Sequence, residues 1–136
     1  MSKFWGGVAV VLVFALAFLA TGQQRETINF TDFETECRYD RGTQADYQLK
    51  NRRLSFDGHY PINNPDSRLD HTYRVSGDRI TLSIQSSPSP FPDPYWNDCK
   101  GLAVYKAQTG ELSPGEYILT INHDGKEAKK QVIQVK

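Results

Sequence analysis

The stretch from Leu112 to Val135, LSPGEYILTINHDGKEAKKQVIQV, leaves its part of the chain little choice but a β-hairpin. Pro114-Gly115 reads as a turn, since proline presets φ and glycine accepts positive φ. Tyr117, Leu119 and Ile121 then alternate with Ile118, Thr120 and Asn122, the period of two that predicts a strand with a heavier face. Asp124-Gly125 is the pair a type I′ hairpin turn prefers, because both central residues need positive φ. A strict type I′ register would set Leu119 against Lys130. A bulge near Lys129–Gln131, bringing Val132 or Ile133 inward, is therefore expected on the returning strand.

A second hairpin is as legible. Between His71 and Gln85, Gly77-Asp78 fits a two-residue turn led by glycine. Pairing Ser76 with Arg79 sets Val75 opposite Ile80 and Tyr73 opposite Leu82, so turn and pattern agree on one apolar face. At the start, Ile28 and Phe30 alternate with polar residues until Asp32, where the phase breaks. Phe33, Thr35, Cys37 and Tyr39 take up a new alternation, the mark of a bulge or a strand that changes sheets. Tyr47 with Leu49 and Leu54 with Phe56 predict two short strands around Lys50–Arg53, and Leu102 to Ala107 another. Asp57 to Asp70 holds Gly58, Pro61, Asn63, Asn64 and Pro65 without periodicity, and is expected to be a long surface loop. Ser86 to Asn97, SSPSPFPDPYWN, excludes a helix or an interior strand, because its prolines fix φ and remove backbone donors.

Seven or eight short strands with no helical periodicity predict an all-β chain folded as one antiparallel sandwich. The Leu-x-Pro-Gly turn of Leu112 to Gly115, followed by a strand carrying Tyr117, resembles the penultimate strand of immunoglobulin-like and fibronectin-like domains. That resemblance implies a single immunoglobulin-like β-sandwich over residues 23–136, a fold shared by many unrelated functions.

The first residues do not belong to such a fold. Lys3 precedes an apolar run from Val8 to Ala20, and Ala20-Thr21-Gly22 supplies small residues before Gln23. This is the layout of a secretory signal peptide over residues 1–22; the alternative is a retained N-terminal anchor, at the short edge of what spans a bilayer. Either places the remainder outside the cytoplasm, secreted or periplasmic, and gives it contact with a membrane only through that segment. The chain carries 16 basic and 16 acidic residues, so it has no electrostatic footprint for nucleic acid. Lys126, Lys129 and Lys130 read as guards of a strand edge. Cys37 and Cys99 are the only cysteines, and in an oxidising compartment they are expected to form one disulfide.

Motifs for catalysis are missing: there is no Gly-x-Ser-x-Gly elbow, no His-Glu-x-x-His and no glycine-rich phosphate loop, so the expected protein is not an enzyme. His59, His71 and His123 each lie beside or near an aspartate and are placed at loops or strand ends. Histidine with carboxylate is a ligand set for zinc or copper, but the spacing matches no metal motif and no cofactor is expected. The better candidates are Phe91, Tyr95 and Trp96. Large aromatics on a stiff, proline-rich backbone make good binding anchors, because little entropy is lost on docking. They could instead fold back to cap one end of the sandwich. These features point to an exported, non-catalytic binding or structural module whose partner is another envelope or extracellular protein. An extracytoplasmic metal-binding protein using the histidines, and an inhibitor that inserts the 88–96 loop into an enzyme cleft, are the alternatives.

Overall fold

The computed structural model describes residues 27–37, 41–90 and 99–136. The leader expected over residues 1–22 lies outside them. The described residues form eight strands: β1 (Ile28–Cys37), β2 (Gln44–Lys50), β3 (Arg53–Ile62), β4 (Arg68–Ser76), β5 (Arg79–Ser87), β6 (Gly101–Thr109), β7 (Gly115–His123) and β8 (Lys126–Val135). They make two four-stranded sheets, ordered β1-β6-β3-β2 and β4-β5-β7-β8. The apolar faces of both sheets meet in one core.

Local signals set the hairpins. Asp124 and Gly125 both have positive φ, 49° and 79°, as a type I′ turn demands. Gly77 has φ of 59°, and β4 pairs with β5 in the expected register, Tyr73 opposite Leu82 and Val75 opposite Ile80. In β1 the pairing with β6 skips Thr31, so Phe30 faces Ala107 and Phe33 faces Tyr105. The phase break at Asp32 is thus a bulge. The bulge in β8 falls slightly earlier than expected, at Ala128, since Ile121 pairs with Lys129 and Asn122 with Glu127. It tucks a small, partly buried side chain against the core, turns Ile133 inward opposite Tyr117, and leaves Val132 60% exposed.

Two expectations are corrected. Asp57 to Asp70 is not a long loop: β3 runs on to Ile62 and β4 starts at Arg68. Two of the residues that signal a loop, Gly58 and Pro61, serve the strand instead, while Asn63, Asn64 and Pro65 lie in the short connection that remains. Gly58 faces Ala45, and a Cβ on it would fall on the Tyr105 ring and 2.7 Å from the Gln44 carbonyl. Pro61 lies beyond the start of β2, which begins opposite His59, so its missing N–H faces an edge that no described strand covers. Nor is the sandwich antiparallel throughout. β5 and β7 run parallel, Ile80 beside Leu119 and Leu82 beside Ile121, because β6 crosses to the other sheet between them.

Within the core, Leu54, Ile80, Leu82, Ile84, Tyr105, Leu119 and Ile121 are fully buried. Each such apolar side chain contributes about 1.5–3 kcal/mol relative to an exposed one. Tyr117 is also buried, and its hydroxyl donates to the Ser113 carbonyl at 2.7 Å, closing the Pro-Gly turn over its ring.

Candidate functional site

One end of the sandwich gathers the chemistry. There β1 ends at Cys37, β3 at Ile62, β5 at Ser87 and β7 at His123, while β4 and β6 begin. Cys37 and Cys99 are joined in a disulfide, with Cα atoms 5.7 Å apart. Cys37 is exposed and Cys99 half-buried, so the bond faces solvent. A disulfide of this kind persists in an oxidising environment and points to an extracytoplasmic location.

Beneath this end lies a polar network. Asp124, held in the left-handed region by the hairpin turn, accepts hydrogen bonds from the Ser86 N–H and the Ser86 hydroxyl, both at 2.6 Å. Tyr60 donates its hydroxyl to the same carboxylate at 3.3 Å. The Asp124 N–H donates to the Ile84 carbonyl at 2.9 Å, which ties the turn to the end of β5. His123 stacks on the Tyr60 ring with centroids 4.4 Å apart, and its Nε2 shares a 2.7 Å hydrogen bond with the Tyr105 hydroxyl. Its Nδ1 is buried and has no hydrogen-bond partner among the described residues.

Burial dominates the electrostatics here. It pushes the His123 imidazole down to about 4, against a smaller upward pull from Asp124. Burial likewise raises both phenols, with the Asp124 charge adding to the effect on Tyr60. His123 is therefore neutral in the folded protein at neutral pH. Its unfolded value is 6.5, so between pH 6.5 and about 4 the unfolded chain binds a proton that the folded one refuses. Stability is expected to fall with pH through that window and to level off, for this group, below it. Urea midpoints of the protein and of His123→Gln, compared across the window, check this. The variant should lose that part of the slope, and matching slopes would refute the assignment.

Ser86, His123 and Asp124 come together in space, which no local motif suggests. They are not a catalytic triad: Ser86 donates to the carboxylate rather than to the imidazole, and His123 Nε2 engages Tyr105. The three histidines sit in different settings, and only His123 ends a strand. His59, inside β3, contacts the Gly42 carbonyl at 2.8 Å and Gln44 Oε1 at 2.9 Å. His71, inside β4, packs against Phe30 and Phe33 with ring centroids 4.5 and 5.6 Å away. Among the described residues no three His, Cys, Asp or Glu side chains gather where they could hold a metal ion.

A cavity of about 320 Å³ opens at the disulfide end between Ile62, Asn64, Ser67, Ser86, Pro88 and Asp124. A larger depression of about 710 Å³ lies on the outer face of the β1-β6-β3-β2 sheet, over Asp32, Glu36, Asp57, His59 and Lys106. Phe91, Tyr95 and Trp96 lie outside the described residues. Tyr60, Ser86, Tyr105 and Asp124 are the residues that sequence reasoning missed. Tyr60 falls in the segment expected to be a loop, Asp124 stands out only as a turn residue and as the carboxylate beside His123, and no spacing links the four. No family model, curated protein or solved structure matches this chain.

Proposed function

We propose that this chain is an exported, non-catalytic module, an immunoglobulin-like sandwich that binds another envelope or extracellular protein. The binding element is the segment between Ser87 and Cys99, with Phe91, Tyr95 and Trp96 as anchors. The observation that carries this reading is how both ends of that segment are fastened. On one side Ser86 is held by Asp124; on the other Cys99 is bonded to Cys37 at the end of β1. Fastening the flanking residues lowers the entropy that docking must remove, which favours aromatic anchors between them. The bond from Tyr117 back to Ser113 supports the immunoglobulin-like reading, since a tyrosine at a strand corner in those domains bonds upstream in the same way. Residues 1–22 then act as the signal peptide, or as a membrane anchor if retained, and the domain works in a periplasm or outside the cell.

The test is the combined variant Phe91→Ser, Tyr95→Ser and Trp96→Ser, followed by thermal unfolding and by pull-down from the native envelope extract. The expected result is a melting temperature within about 2 °C of the parent and complete loss of a partner that the parent captures. If the aromatics cap the sandwich instead, the variant exposes buried apolar area at about 25 cal/mol per Å² and melts lower. That outcome, with no specific partner recovered by the parent, rejects the reading.

A further inference from the structure

We propose that β4 is a self-pairing edge through which two copies of this chain associate. Among the described residues the four edge strands are β1, β2, β4 and β8. Three of them are guarded in ways that discourage pairing. β1 is broken by its bulge at Thr31 and carries Asp32, Glu34 and Glu36 on one face, where mutual repulsion raises the Glu34 carboxyl above its usual range. β8 is broken by its bulge at Ala128 and carries Lys126, Lys129 and Lys130. β2 is the shortest strand, and Lys129 reaches over it to Asp46 at 3.8 Å and lies 5.5 Å from the Tyr47 ring centroid.

β4 has none of these devices. Its nine residues, RLDHTYRVS, pair with β5 in unbroken register and include no proline, glycine or lysine. Ser76 and Arg79 flank the two-residue turn and form a hydrogen-bonded pair, so Leu69, His71 and Val75 direct their backbone groups away from β5. The even-numbered residues point to the outer face of the sheet, where Asp70, Thr72 and Arg74 are exposed. Neither the Asp70 nor the Arg74 side chain has a hydrogen bond or ion pair among the described residues.

The pattern is self-complementary. When two β4 strands run antiparallel about a two-fold axis at Thr72, Asp70 of each copy faces Arg74 of the other, and Leu69 faces Val75. The charged residues occupy non-hydrogen-bonded positions, where opposing Cα atoms approach to about 4.5 Å and side chains interact most closely. The same alignment of β1 would set acid against acid. The occupant that β4 selects is therefore a second copy at β4, joining the two β4-β5-β7-β8 sheets into one. A single strand pair is a small interface, so the association is weak and reversible. This inference does not depend on the binding role of the 88–98 segment.

Sedimentation velocity of the full chain, produced in an exporting host, tests it from about 5 to about 500 µM. A sedimentation coefficient that rises with concentration is expected. Asp70→Arg and Arg74→Asp should each weaken dimerisation about tenfold or more, and the two together should restore it to within about threefold of the parent. Thr72→Cys should form a disulfide-linked dimer under mild oxidation, because the residue faces itself across the axis. Gln85→Cys, exposed on the neighbouring strand, should not. A monomer at every concentration overturns the proposal, as do charge reversals without effect or equal cross-linking at the two cysteine positions.

Discussion

Tyr105→Ala is expected to destabilise the protein by about 3–5 kcal/mol and to lower its melting temperature by roughly 10 °C or more. The ring is fully buried and fills the space above Gly58, where no side chain competes for it. Its removal leaves a cavity in the middle of the β1-β6-β3-β2 sheet, between Phe33 on β1 and Gly58 on β3. It also strips His123 Nε2 of its only described partner, leaving both ring nitrogens buried and unsatisfied. Tyr105→Phe separates the two effects. It keeps the ring and loses only the hydrogen bond, so it should cost about 1–3 kcal/mol. Urea denaturation of both variants is the check. Equal losses would mean that packing above Gly58 contributes nothing.

Loss of the Cys37–Cys99 disulfide is expected to cost about 4 kcal/mol, because the bond closes a loop with a sequence separation of 62. The stabilisation acts mainly on the unfolded ensemble, which the cross-link holds compact. The paired replacement Cys37→Ala with Cys99→Ala avoids the stray thiol that either change alone would leave. Its denaturation midpoint should fall, and its m-value should rise as the unfolded chain expands. Tyr105→Ala, a change in native packing, should lower the midpoint at nearly constant m. A midpoint unmoved by the paired replacement would show that the bond adds no stability.

These two features differ in how visible they are beforehand. The disulfide follows from a count of cysteines and the compartment that the N-terminal run implies. Tyr105 reads from the chain as one apolar residue in a strand, with nothing to join it to Gly58 or His123. The candidate site divides in the same way. The aromatics of the 88–96 segment stand out by composition. The network of Tyr60, Ser86, Tyr105, His123 and Asp124 does not, since its members come from β3, β5, β6, β7 and the turn after β7.

What the sequence determined by itself is local. The turns at Gly77-Asp78 and Asp124-Gly125, the register of β4 on β5, and the phase break in β1 all follow from backbone sterics and period-two alternation within a few residues. What only the tertiary structure decided is which strands become neighbours, and in which direction. The parallel pairing of β5 with β7, the use of Gly58 and Pro61 inside a strand, and the burial of His123 depend on contacts across the core. Alternation says that a strand has an inner face but not which sheet it joins or which way its neighbour runs. That choice falls to the arrangement that buries both apolar faces together while satisfying the polar groups trapped between them.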